Sequence, residues 1–335
     1  MTRVAVIGGG SWGTTLASLL AEHHATTLWA RDEEVVEEIV RAKRNPIYLP
    51  DFDLCPALRA TTDLDAALAG AEVVVFAVPS SYLRSVVELT KDALPPAADV
   101  VSVTKGIELD TGFRMTEVIL DVLDHDPARV SALSGPNLAK EVLAGHPSAS
   151  VLACPDPERA EVLQHVLTTG WFRVFTNVDL IGCEVGGAVK NVIAIAAGIG
   201  DGLGFGWNTK SALITRGLAE IARLGLALDA QPLTFLGLTG NGDLTATCSS
   251  PQSRNRHVGE QLGKGRALDD IIGEMSMVAE GVSSTPAIAA LAKRLGVPMP
   301  ITKKVDAVLR GALSPIEAVH QLMEFEPGSE FEGLV

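Results

Sequence analysis

Lys190 lies within Glu184-Val-Gly-Gly-Ala-Val-Lys-Asn-Val-Ile-Ala-Ile-Ala-Ala-Gly-Ile199, a helix-length run whose only other strongly polar residues are Glu184 and Asn191. A buried ammonium among apolar side chains is costly unless something compensates it, so such a lysine lines a cleft or moves protons. The plainer reading is a lysine that buries its stem and floats its head at a helix edge. Gly186, Gly187, Ile193 and Ala194, three and four positions away, leave it no polar stripe to join. Asp243, in Thr239-Gly-Asn-Gly-Asp, is a carboxylate that could hold Lys190 or accept a hydrogen bond from a substrate hydroxyl; it would serve equally as a simple turn residue. In Ser249-Ser-Pro-Gln-Ser253-Arg254-Asn255, a Ser cap and a Pro predict a helix starting at 251. Its first turn would carry Ser253, Arg254 and Asn255 as an anion clamp, or as a solvated basic turn.

A second set of residues points to a dinucleotide. Gly8, Gly10 and Gly13 form Gly-x-Gly-x-x-Gly between a predicted strand and a predicted helix, where backbone amides can approach a pyrophosphate closely. At the end of the next strand Arg31 and Asp32 stand side by side. An arginine there suits the 2′-phosphate of NADP and a carboxylate suits the ribose of NAD, so the choice stays open with a lean to both. Asp32 also reads as an ordinary surface acid at a strand end. Thr104-Lys105-Gly106 and Ser134-Gly135-Pro136-Asn137 follow two further strands, which directs Lys105 and Asn137 to the ligand-binding ends of the sheet; Asn137 reads equally as a helix cap.

Together these groups predict hydride transfer with nicotinamide, in which Lys190 exchanges the hydroxyl proton. Lys105 and Arg254 nearby would push its pKa toward the working pH. Rival dehydrogenase chemistry lacks its parts: neither Tyr48 nor Tyr82 has a lysine four residues on, and Cys55, Cys154, Cys183 and Cys248 form no metal-ligand pattern. No metal is expected.

The elements that must position these groups divide in two. Strands are predicted at 4–7, 27–30, 73–78, 100–103, 130–133, 149–152 and 172–175, with helices at 63–68, 82–89 and 157–166 between them. This alternation predicts an α/β class, an N-terminal Rossmann-type doubly wound parallel sheet over 1–177. Helical patterns alone follow, at 184–199, 209–224, 251–262, 284–295, 301–310 and 315–323, giving an all-α substrate domain over 178–325 and a loose acidic tail at 326–335. A net charge of −14 without a dense basic cluster argues against nucleic acid and anionic membrane surfaces as partners. No signal peptide or uninterrupted membrane-length apolar run is visible, so the expected location is the cytoplasm and no integral membrane association is expected.

These residues carry a family resemblance over essentially the full chain. Gly8-Gly-Gly-Ser-Trp-Gly13, Thr104-Lys-Gly106, Ser134-Gly-Pro136, Gly186-Gly-Ala-Val-Lys-Asn-Val-Ile193, Ala212-Leu-Ile-Thr-Arg-Gly-Leu-Ala-Glu220, Ser253-Arg-Asn-Arg256 and Glu280-Gly281 resemble the bacterial NAD(P)-dependent sn-glycerol-3-phosphate dehydrogenases. The resemblance implies that Lys190 is the proton acceptor. It implies that Lys105, Gly135, Asp243, Ser253, Arg254 and Asn255 hold glycerol 3-phosphate. It further implies that Ser11, Trp12, Arg31, Lys105, Ala139, Arg254, Val278 and Glu280 line the NAD or NADP site, and that reduction of dihydroxyacetone phosphate supplies the phospholipid backbone. A homodimer is expected because helical second domains often supply such surfaces. The chain departs from the family at Asn137, where a small hydroxyl residue is usual, at Asn241, and at Val282, where an aromatic is common. The rivals are a ketopantoate-type reductase, which needs a carboxylate substrate, and a nucleotide-sensing protein that has lost catalysis.

Overall fold

The computed structural model describes residues 1–275, 277–324, 329 and 333, and its contacts group into two compact units, Met1–Thr104 with Met115–Leu180 and Lys105–Arg114 with Ile181–Val335. Apart from Ser329 and Gly333, the acidic tail expected at 326–335 lies outside the described residues.

The first unit is built on strands β1 (Arg3–Ile7), β2 (Ala25–Trp29), β3 (Arg59–Thr61), β4 (Val73–Phe76), β5 (Asp99–Ser102), β6 (Val130–Ser134), β7 (Ser148–Ala153) and β8 (Phe172–Asn177) in the order β3-β2-β1-β4-β5-β6-β7-β8. Val73-Val-Val-Phe76 of β4 is buried at every position, as a strand covered on both faces requires. Helices α1 (Ser11–Ala21), α2 (Glu33–Ala42), α3 (Leu64–Leu68), α4 (Ser80–Thr90), α5 (Met115–Val122), α6 (Ala139–Leu143) and α7 (Pro157–Leu167) connect the strands. Strand order reverses beside β1, between the β1–β2 and β1–β4 pairs, which is where sheets of this kind bind ligands at their carboxyl ends. Two expectations need correction. The sheet is not wholly parallel, because β7 runs antiparallel to β6, and β3 is a three-residue strand that the sequence reading missed. A short edge strand such as Arg-Ala-Thr carries no periodicity to detect, and a hydrophobic run does not encode its own direction.

The second unit is helical: α8 (Leu180–Gly202), α9 (Trp207–Leu226), α10 (Asp243–Ser249), α11 (Arg254–Gly263), α12 (Leu268–Gly273), α13 (Glu280–Leu295), α14 (Pro300–Leu309) and α15 (Pro315–Met323). Its core centres on α8, whose Val185, Val189, Val192, Ile193 and Ile195 are fully buried. By length and composition α8 could cross a membrane, but 83% of its apolar window is buried inside the protein, the pattern of a core helix. Close helix packing is visible at Gly198, where a Cβ would sit 1.9 Å from the Arg256 carbonyl oxygen, and at Gly259, where it would sit 1.9 Å from that of Ile195. These glycines let the backbones of α8 and α11 touch, and so fix the first turn of α11 relative to Lys190. Residues 105–114 belong to this unit: Ile107 joins its core, and Arg114 pairs with buried Glu184 at 2.6 Å.

Candidate active site

In the first unit, the glycine turn links β1 to α1. Gly8 has φ +128°, and a Cβ there would lie 2.5 Å from the Ala77 carbonyl oxygen; a Cβ at Gly13 would lie 2.0 Å from the oxygen of Gly8. Both must be glycine for the turn to close. A Cβ on Gly10 would meet nothing within 4 Å, and among the described residues no side chain caps α1 there. The turn therefore leaves the start of α1 with open space beside Gly10, the close backbone approach a pyrophosphate needs. The Trp12 ring packs edge-on against Phe172 with centroids 5.9 Å apart, so what Trp12 brings to the helix start is its backbone.

Arg31 is exposed at the end of β2. Asp32 caps α2, its Oδ1 accepting from the backbone N–H groups of Glu34 at 3.0 Å and Val35 at 3.4 Å. Ala139 opens α6, and its carbonyl accepts from Thr15 Oγ1 at 3.4 Å, tying α6 to α1. Gly135, at φ +136°, turns the chain after β6. Asn137 is not a helix cap, which corrects one of its two readings: α6 starts after Leu138, and Asn137 Oδ1 instead accepts from Ser150 Oγ. Among the described residues its buried Nδ2 has no hydrogen-bond partner.

In the second unit, Lys190 is 6% exposed, and its Nζ lies 2.5 Å from Asp243 Oδ1 and 2.7 Å from Thr247 Oγ1. Lys105 Nζ lies 2.6 Å from the other carboxylate oxygen of Asp243. One buried carboxylate thus holds two ammonium groups. Burial pushes the Lys190 ammonium down to about 8; the pull of Asp243 opposes this, and the repulsion of Lys105 adds to it. A lysine in that range can both give and take a proton near neutral pH. Asp243 is not a plain turn residue: a π-helical turn, Leu238–Gly242, runs into α10, and Asp243 is the first residue of that helix. Thr247 then falls four residues on, on the same face, and its hydroxyl donates to the Asp243 carbonyl at 2.7 Å. No local pattern marks Thr247, because Thr239-Gly-Asn-Gly-Asp243 reads as a turn and hides the helix that sets Thr247 four residues after Asp243.

The helix expected from 251 begins at Arg254, with Ser253 as its cap, accepting from Arg256 N at 3.2 Å; Pro251 lies in the preceding turn. Arg254 therefore occupies the first helical position, where a helix start already favours anions. Burial lowers its pKa and the charge of Glu280 opposes that, while its Nη1 contacts Met277 Sδ at 3.0 Å. Asn255 Nδ2 donates to Asn191 Oδ1 at 3.0 Å, and its Oδ1 accepts from Gly281 N at 2.9 Å. These bonds tie α8, α11 and α13 together next to Lys190. Glu280 opens α13, and Val278 just before it is 45% exposed. Lys105 and Lys190 thus both bind Asp243, and Asn255 bonds Asn191, the chain neighbour of Lys190.

A doubly wound sheet with a glycine turn at its switch point, followed by a helical unit holding a buried lysine on a shared carboxylate, defines a nicotinamide-nucleotide dehydrogenase. The models of the NAD-dependent glycerol-3-phosphate dehydrogenase N-terminus and C-terminus match residues 3–160 and 179–320, and the chain belongs to this family. It is 53% identical to a glycerol-3-phosphate dehydrogenase [NAD(P)+] 2 of Sphingopyxis alaskensis over 98% of each chain. With a glycerol-3-phosphate dehydrogenase [NAD(P)+] of Thermobifida fusca it shares 50% identity, over 96% of this chain and 97% of the other. The crystal structure of glycerol-3-phosphate dehydrogenase from Coxiella burnetii superposes with a TM-score of 0.91 at 36% identity, covering 96% of this chain and 98% of that one.

Proposed function

We propose that this chain reversibly reduces dihydroxyacetone phosphate to sn-glycerol 3-phosphate with NADH or NADPH, and that Lys190 is its acid–base residue. The observation that carries the assignment is the Lys190 ammonium, buried 2.5 Å from Asp243 and pushed down to about 8. The bound nicotinamide supplies or accepts the hydride. In reduction, Lys190 Nζ donates its proton to the oxygen at C2 of the substrate; in oxidation the neutral amine takes it back. Asp243 keeps Nζ in place and preserves enough of its positive charge for donation, with Thr247 completing its hydrogen bonds. Lys105, on the other oxygen of Asp243, keeps the carboxylate from pairing fully with Lys190.

The phosphate of the substrate is assigned to Arg254 and the first-turn amide of Asn255, with Ser253 as the cap of that helix start; Gly135 is assigned to the substrate on the resemblance alone. Asn137, with its Nδ2 donor, is assigned to the same substrate. The first-turn amides beside Gly8, Gly10, Ser11, Trp12 and Gly13 suit the pyrophosphate. Arg31 suits a 2′-phosphate, and Asp32 is assigned to the ribose through the carboxylate that also caps α2; Lys105, Ala139, Arg254, Val278 and Glu280 complete the cofactor set. Residues 1–177 would be the dinucleotide domain and 178–325 the substrate domain. We place the enzyme in the cytoplasm as a homodimer, supplying the phospholipid backbone.

The test is an assay of the purified chain with NADH and NADPH against dihydroxyacetone phosphate and a panel of carboxylated ketones including ketopantoate. Dihydroxyacetone phosphate should be preferred by roughly 100-fold or more in kcat/KM, because an anion clamp discriminates charge and shape together. Preference for a carboxylated ketone, or tight NADH binding without turnover on any ketone, would contradict the proposal.

A further inference from the structure

Asn45 is fully buried in the first unit, 36 residues from the turn it touches. Its Nδ2 donates to the carbonyl oxygen of Gly9 at 2.9 Å and to Thr14 Oγ1 at 2.9 Å, and its Oδ1 accepts from Tyr48 N at 3.1 Å. Thr14 Oγ1 also donates to the same Gly9 oxygen, at 3.1 Å. The middle residue of the glycine turn is therefore held by two side-chain donors.

Asn45 sits in a closed loop. Leu54 N donates to Lys43 O at 2.8 Å, Lys43 Nζ donates to Leu58 O at 2.9 Å, and Arg44 pairs with Asp53 at 2.8 Å. At the far end of the loop, Cys55 N donates to Ser18 Oγ on α1 at 2.8 Å. The loop is thus strapped to α1 at two places, with Asn45 as the buried fastening.

We propose that Asn45 is a positioning residue for the dinucleotide, orienting the Gly9–Gly10 peptide so that its amide faces the cofactor phosphates. In a trans peptide the C=O and N–H point opposite ways. Fixing the Gly9 oxygen against Asn45 and Thr14 therefore turns the Gly10 N–H away from them. The two glycines are unequal in the way this requires: a Cβ on Gly9 would strike Ala30 Cβ at 2.5 Å, whereas one on Gly10 would meet nothing within 4 Å. Gly9 faces protein and Gly10 faces open space. Glycine permits many backbone orientations, so without the two donors this peptide would sample several and bind the phosphates only from one.

The inference rests on the proposed use of a nicotinamide dinucleotide, and its test is direct NADH titration, which needs no turnover. Asn45→Ala and Asn45→Ser should each weaken NADH binding, Asn45→Ala by about tenfold, the scale of one such hydrogen bond. KM for dihydroxyacetone phosphate should stay within about twofold, since uniform loss of cofactor binding does not touch the substrate cradle. Ser131→Ala is the control: Ser131 Oγ makes a buried hydrogen bond to Val100 O at 3.1 Å in the same sheet, so its loss should lower Tm and leave NADH affinity unchanged. If Asn45→Ala folds and binds NADH like wild type while only Tm falls, Asn45 merely braces the loop and the proposal is overturned. Should Asn45→Ala not fold, Asn45→Ser decides by the same titration. Failure of the functional reading would show differently, as a wild type that binds NADH but turns over no dihydroxyacetone phosphate.

Discussion

Lys190 and Asp243 meet at 2.5 Å although 53 residues separate them, and the carboxylate that receives Lys190 is shared with Lys105. Asp243 is 1% exposed, so this pairing takes place where charge is costly to bury, and the carboxylate opposes the loss of the Lys190 proton. Asp243→Asn should remove the attraction that opposes burial and drop the Lys190 pKa further below about 8. Reduction of dihydroxyacetone phosphate at neutral pH should then fall by roughly 100-fold, with the pH profile displaced to lower pH. A profile displaced upward would contradict the assigned geometry.

The pH dependence of the wild type follows from the same group. Reduction uses protonated Lys190, so its kcat should decline as pH rises through about 8, while glycerol 3-phosphate oxidation uses the neutral amine and should rise over the same range. Rate profiles in both directions check this. Parallel profiles would remove Lys190 from the proton step.

How much of this was legible in sequence differs from residue to residue. The glycine turn and the lysine in an apolar helix stood out because their types violate local expectation: three glycines at a strand end, one charge in a core helix. Helix starts were less legible. Ser250 with Pro251 and Ser253 with Arg254 are competing caps only three residues apart, and each hydroxyl accepts a nearby backbone amide, Gln252 N for Ser250 and Arg256 N for Ser253; only the second opens a helix. The Asp243–Lys105 pair and the Asn45–Gly9 bond are long-range facts that no local pattern encodes. The antiparallel course of β7 was hidden for the same reason.

Gly10→Ala and Gly13→Ala should separate binding from folding. The Gly10 backbone has φ −70° and open space beside it, so alanine fits there and Tm should barely change while NADH affinity drops about tenfold or more. Alanine at Gly13 collides with the Gly8 oxygen at 2.0 Å and should lower Tm by several degrees. Thermal melts with and without NADH distinguish the two.

Arg254→Lys should raise KM for dihydroxyacetone phosphate roughly 10- to 100-fold with kcat less affected, because a lysine keeps the charge but not the planar fork of donors. Steady-state kinetics at saturating NADH measure this. An unchanged KM would take the phosphate away from Arg254.

Glu220, buried on α9, caps α14 from outside it, accepting from Ile301 N at 2.6 Å, Thr302 N at 3.1 Å and Thr302 Oγ1 at 3.0 Å. Burial lifts its carboxyl to about 7, above the ordinary 4.5. The folded protein therefore holds this proton more tightly than the unfolded chain. Its contribution to stability is fully present below about 4.5 and is lost as pH rises through about 7. Wild-type stability relative to Glu220→Gln should fall by up to about 3 kcal/mol as pH rises across that window. Denaturant titrations at a series of pH values read it directly.

Lys190→Ala isolates the proton transfer when it is assayed for dihydroxyacetone-phosphate-dependent oxidation of NADH and NADPH beside an NADH titration. Turnover should fall by about 1,000-fold or more while NADH binds within a few-fold of wild type, the separation expected when an acid–base group is lost and cofactor binding is kept. Wild-type turnover in the variant would take the proton transfer away from Lys190.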